Sequence, residues 1–195
     1  KQRNKAYTST LYIIMKKTRK LLIIISVILI IGIIYWNLRV QIHHYFFAKH
    51  AIFWKENVEL KPTDFQAEIN NNSESKILWF HGLYLKSTNL KDAEVKAVFD
   101  KNKSWIKDTL NFKENMKLQK LRFDLYESYA RKFNREINKI KYDDEKSFSD
   151  LKKIGDKIYS ELQRMEDSIY NTDLEKPELI EFWRPKIDKL LKSNN

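Results

Sequence analysis

From Leu21 to Trp36 the chain carries no charged side chain, and only Ser26 and Gly32 interrupt its apolar run. Sixteen helical residues cover about 24 Å, short of the ~30 Å hydrocarbon core of a bilayer, so flanking chemistry must decide between a cleaved signal and a spanning helix. Lys16, Lys17, Arg19 and Lys20 precede the run, and Tyr35, Trp36, Asn37, Leu38, Arg39 and Val40 follow its apolar centre. The small residues that a signal peptidase requires are missing there, and no lipobox cysteine exists. Tyr35 and Trp36 suit an interfacial aromatic belt, while Lys20 and Arg39 can snorkel, which lets a short run span. A buried core helix would need a polar face somewhere in four turns, and this segment has none. Residues 15–38 therefore read as an uncleaved signal-anchor in contact with membrane lipid. The positive cluster lies before the run, so the N-terminus is expected in the cytoplasm and everything after Arg39 outside it, in a periplasmic or extracellular space. Met15, followed by two lysines, is the expected natural start, with residues 1–14 upstream of it. Residues 39–54 form an aromatic juxtamembrane stretch (Tyr45, Phe46, Phe47, Phe53, Trp54) suited either to the lipid interface or to packing on the domain.

The anchor also explains the net charge of +11. Nine Lys or Arg and no acid lie between Lys1 and His50, which leaves 28 basic against 26 acidic residues beyond them. That near balance, without a basic stripe or a known binding motif, argues against nucleic acid as a partner. With no cysteine, disulfides, thiolate nucleophiles and Cys-ligated zinc are excluded together. Three Gly and three Pro in 195 residues leave few breakers, which favours long helices.

Beyond the anchor, residues 55–195 read as one α+β domain, a small antiparallel sheet packed on about three long helices. The K-P-T-D-F segment at Lys61–Phe65 is expected to be extended, and Asn70–Ser75 a turn. Lys76–Lys86 has the β-branched and aromatic content of one strand, and Ala93–Phe99 alternates as a second. From Phe112 to Ile140 the apolar residues Met116, Leu118, Leu121, Leu125, Tyr129, Phe133, Ile137 and Ile140 recur every three or four positions, which predicts an amphipathic helix. Another helix is expected from Ser147, with Asp150 completing a capping box and Leu151, Ile154, Ile158, Leu162, Met165 and Ile169 on one face. A last helix opens at Pro177 and is expected to kink or split at Pro185.

The first of these helices carries L-Q-K-L-R-F-D-L-Y-E-S-Y-A-R, Leu118–Arg131. This string resembles a bacterial family of secreted zinc-dependent proteases whose pattern is H-E-x-x-H-F-D-(I/L)-x-E-x-Y-A-R. Phe123, Asp124, Leu125, Glu127, Tyr129, Ala130 and Arg131 match at every spacing. Similar, weaker matches occur at Pro62–Phe65, at Ser104 and Trp105, and at Tyr170–Pro177, with Trp183 beyond. The resemblance implies that two histidines and a glutamate would stand at Leu118, Arg122 and Gln119, and a third histidine at Lys176. Leucine cannot ligate, glutamine cannot act as a base, and a permanently charged arginine repels a cation. The resemblance thus implies a degenerate member with no catalytic residues, no zinc and no other cofactor, in which Arg122 and Lys176 would converge on a ligand's carboxylate or Arg122 would pair with a nearby acid.

Other chemistry is weakly signalled. His43, His44 and His50 form a cluster without a carboxylate close in sequence, His81 falls in a predicted strand, and carboxylate pairs such as Asp143 and Asp144 signify surface in a chain with 32% charged residues. No Gly-rich phosphate loop or G-x-S-x-G elbow occurs. The expected function is that of a membrane-anchored extracytoplasmic domain, non-catalytic and metalloprotease-like, that binds peptide or protein. The alternatives are a structural subunit of the cell envelope, or a hydrolase with a non-standard site.

Overall fold

A computed structural model describes residues 2–88, 90–108, 111–140 and 147–194, with side-chain environments from Met15 onward. The chain divides into two units at His43 and His44. The first consists of helix α1 (Gln2–Ala48) up to its last turn. Its Met15–Ala48 portion is long and apolar enough to cross a membrane, with none of its most apolar window buried. Leu21, Ile24, Ile28, Ile31 and Trp36 are all more than half exposed, a surface that water does not tolerate over four turns. The helix continues past Arg39 through the aromatic stretch to Ala48.

The second unit begins at His44, and there the two alternatives for the aromatic stretch divide residue by residue. Phe47 stacks on Tyr84 with ring centroids 4.4 Å apart, and Phe53 closes the same cluster at 6.0 Å. Tyr45 and Phe46 remain exposed, with the Lys49 ammonium over both rings.

Strands β1 (Ala51–Phe53), β3 (His81–Lys86) and β4 (Glu94–Asp100) form an antiparallel sheet in the order β1-β4-β3. The register pairs His81 with Phe99, Leu83 with Ala97 and Leu85 with Val95 on the face that meets the helices; Tyr84 and Val98 lie on the other. A second ladder joins β2 (Ile77–Leu78) to β5 (Trp105–Ile106). The single strand expected over Lys76–Lys86 is therefore two, broken at Trp79 and Phe80. At the break the Ser104 hydroxyl accepts the Phe80 N–H at 2.9 Å, and the Phe80 carbonyl accepts from Asp100 N at 2.9 Å. The segment expected to be extended around Pro62 is a short 3-10 turn over Pro62–Asp64, closed because the Asp64 carboxylate accepts the Lys61 N–H at 2.8 Å.

Helix α2 (Phe112–Ile137) is central, flanked by β4, α3 (Ser147–Tyr170) and α4 (Lys176–Ser193). Leu121, Leu125 and Ile137 of α2, Ile158, Leu162 and Ile169 of α3, Ile187 of α4 and Phe99 of β4 are almost fully buried and form one core. Gly155 permits the close approach of α3 to α2, since a Cβ there would lie 3.2 Å from the Phe133 ring. Pro185 does not split α4; it lies on an exposed stretch, where the Glu181 carbonyl it deprives of a partner can be hydrated. The Asp143–Asp144 pair, and the Ser147 side chain of the expected capping box, lie outside the described residues.

Candidate functional site

Seven of the residues that match the protease pattern lie on α2, and in this chain they assemble the fold. Asp124, 4% exposed, accepts from Trp54 Nε1 at 2.7 Å and from Arg184 Nη1 at 2.8 Å and also pairs with Lys120, so one carboxylate ties α2 to the chain after β1 and to α4. Glu127 accepts from Arg131 Nε at 2.9 Å; burial pushes its carboxyl up, and the Arg131 charge opposes that shift. Arg131 also donates to the Leu191 carbonyl at 3.2 Å. Phe123, Leu125, Tyr129 and Ala130 are buried among the core side chains.

The positions that would carry chemistry are also accounted for. Leu118 belongs to the core. Arg122 donates through Nε at 3.2 Å and Nη2 at 2.7 Å to one oxygen of Glu166 on α3. The Tyr126 hydroxyl donates to the other oxygen at 2.8 Å, and burial, reinforced by the Glu166 charge, holds that phenol far above its usual range. The guanidinium lies 4.9 Å from the Tyr170 ring centroid and 5.8 Å from that of Trp79, in cation–π range. Arg122 thus has its acid, though from another helix and not from the Asp124 or Glu127 of its own. Lys176 is placed elsewhere: its ammonium donates to Asn115 Oδ1 at 2.8 Å. Residues 115 and 122 are separated by about 10 Å along the α2 axis, and the two cations engage different partners there.

No family model, no curated protein and no solved structure matches this chain. The likeness to zinc proteases therefore rests on the motif residues themselves.

His81 lies against this ion-paired cluster, 5% exposed and ringed by Phe123 at 5.0 Å, Phe99 at 5.6 Å and Tyr126 at 5.7 Å. Neither ring nitrogen has a partner among the described residues. Burial, then the nearby Arg122 charge, hold its pKa well below the ordinary histidine value, so the imidazole is neutral. The juxtamembrane histidines of the second unit are separately engaged, His44 Nδ1 3.3 Å from the Tyr84 hydroxyl and His50 Nδ1 2.9 Å from Asp100. The carboxylate that seemed missing near His50 arrives from the end of β4, fifty residues away. Among the described residues no three His, Asp or Glu side chains gather as metal ligands.

Gln119 shares the unpartnered state of His81 but, unlike it, lines a groove. It is 1% exposed, and neither its amide oxygen nor its amide nitrogen has a partner among the described residues. It lines a groove of about 740 Å³ between residues 56–60, the first half of α2 and, on α4, Ile180 and Arg184. Sequence reasoning set Gln119 aside as a failed base, because nothing in a helix pattern distinguishes a satisfied amide from an orphaned one. Glu166 was missed although a signal existed: it stands four residues after Leu162 and three before Ile169, an acid on the apolar face of α3.

Proposed function

We propose that this protein is a membrane-anchored, extracytoplasmic binding domain with the scaffold of a zinc protease and none of its chemistry. The observation that carries the reading is the Arg122–Glu166–Tyr126 assembly. A permanent cation, paired with Glu166 through its Nε and Nη2 donors and largely buried, occupies the place where the resemblance would put a metal ligand. A zinc ion there would meet a guanidinium that repels it, a leucine that cannot ligate and a neutral amide that cannot act as a base for water. α1 supplies the anchor, with the N-terminus cytoplasmic by the placement of Lys16–Lys20. The partner is a peptide or protein held by the folded unit.

The test uses the full chain in lipid nanodiscs, with zinc content and peptide hydrolysis measured on one preparation. Metal well below one equivalent and no chelator-sensitive turnover are expected; near-stoichiometric zinc or chelator-suppressed hydrolysis would overturn the reading. A second reading, a structural subunit of the envelope, draws support from another surface. Phe148, Tyr159 and Leu85 are 70%, 51% and 41% exposed around a groove of about 360 Å³ against α3. Crosslinking in intact cells that captures one membrane protein through Phe148 and Tyr159, and nothing through the Gln119 groove, would favour it.

A further inference from the structure

We propose that the groove floored by Gln119 binds an extended peptide segment, gripped by its backbone at that amide. This deepens the binding function proposed above and rests on it. Burying a primary amide without partners costs about 1–3 kcal/mol, so a side chain left in that state points to a ligand that completes it. The missing partner must offer one donor and one acceptor side by side, because Oε1 and Nε2 are both unmet. A single residue of an extended chain presents such a pair, its N–H and C=O on one edge.

This helix already makes the same contact elsewhere. Asn134, also on α2, accepts the Val95 N–H through Oδ1 at 2.8 Å and donates through Nδ2 to the Val95 carbonyl at 2.8 Å. One carboxamide thus holds one strand residue by both backbone groups. Gln119, fifteen positions earlier, offers the same chemistry to a chain the protein does not itself supply.

The groove has the size and rim that such a ligand needs. Its roughly 740 Å³ falls within the ~300–1,000 Å³ range of sites that enclose small ligands, enough for a few residues. Phe112, Met116 and Ile180 give apolar walls. Lys113 and Lys117 are exposed one turn apart, with no ion pair among the described residues, and Glu56 and Glu59 stand likewise on the facing segment. Free charges of both signs select a peptide bearing acidic and basic side chains over a purely apolar one.

A randomised library of displayed heptapeptides, panned against the full chain in nanodiscs, tests this. The wild type is expected to enrich a related set of sequences containing both charges. Gln119→Leu, which fills the same space without polar atoms, is expected to weaken binding of the enriched peptides at least ~tenfold, the worth of two amide hydrogen bonds. Lys117→Glu, on the rim, is expected to reverse the charge preference while leaving the Gln119 dependence intact, so the conclusion does not hang on one variant's folding. Absence of enrichment, or equal binding by wild type and Gln119→Leu at an unchanged urea midpoint, would overturn the proposal. Zinc content on the same samples keeps the parent reading separate: a metal-free, inactive protein that enriches nothing loses the groove alone.

Discussion

Removing Glu166 tests the account of the motif helix most directly. The Arg122 and Glu166 side chains are 10% and 15% exposed. Glu166→Ala leaves a buried guanidinium without its acid, a defect that costs about 3–5 kcal/mol, and takes the acceptor from the Tyr126 hydroxyl, which adds about 1 kcal/mol. For a domain of this size each kcal/mol moves the midpoint by about 2–4 °C, so a fall on the order of 10 °C is expected. The assay is urea and thermal unfolding of the full chain in detergent, followed by tryptophan fluorescence, since Trp79 neighbours the guanidinium. Removing both charges separates a lost attraction from an abandoned charge. Arg122→Met with Glu166→Leu should recover most of the loss, because the desolvation of both ions is then avoided. A single-variant cost under about 1 kcal/mol, or a double variant worse than the single, would refute the argument that this pair closes the site.

The remaining expectations are smaller. His81 is held neutral in the fold and is protonated more readily in the unfolded chain, so stability should be intact above pH 6.5 and fall by up to about 1.4 kcal/mol per pH unit below it; His81→Leu should flatten that dependence in acid urea titrations. Trp54→Phe removes the indole donor to Asp124 and should cost about 1–2 kcal/mol while leaving the circular dichroism spectrum unchanged. Single cysteines at Lys17 and Lys55, in a chain with none of its own, should react oppositely with an impermeant maleimide in intact cells, only the second being labelled; labelling of Lys17→Cys alone would invert the proposed orientation.

How much of this was legible in the sequence follows the physical range of each interaction. The repeats of α2 and α3 are local, and all their apolar residues but Met116, which lines the groove, lie in or against the core where the period placed them. Strands of two and three residues have too few positions to show a period, so β1 and β5 left no signal. The break between β2 and β3 depends on the Ser104 hydroxyl, twenty-four residues away, and no local pattern contains it. Pro185 leaves α4 unsplit because a proline's effect depends on whether water can reach the carbonyl it abandons. In the site, the residues at 118, 119, 122 and 176 were readable letter by letter. Which acid would answer Arg122, and whether Gln119 would find a partner, depended on packing between helices far apart in sequence.

The Asn134 clamp has a consequence for how this fold avoids pairing with copies of itself. β4 is seven residues long, while β1, on one side of it, covers only Asp100, Phe99 and Val98. Beyond them the Trp54 N–H donates to the Ala97 carbonyl at 3.0 Å, and Asn134 closes the edge at Val95 with a side chain that no second molecule can extend. Replacing Asn134 would do more than remove two hydrogen bonds. It would leave the N–H and C=O of Val95 on the edge of β4 open to a strand of a second molecule, and self-association would be the first symptom.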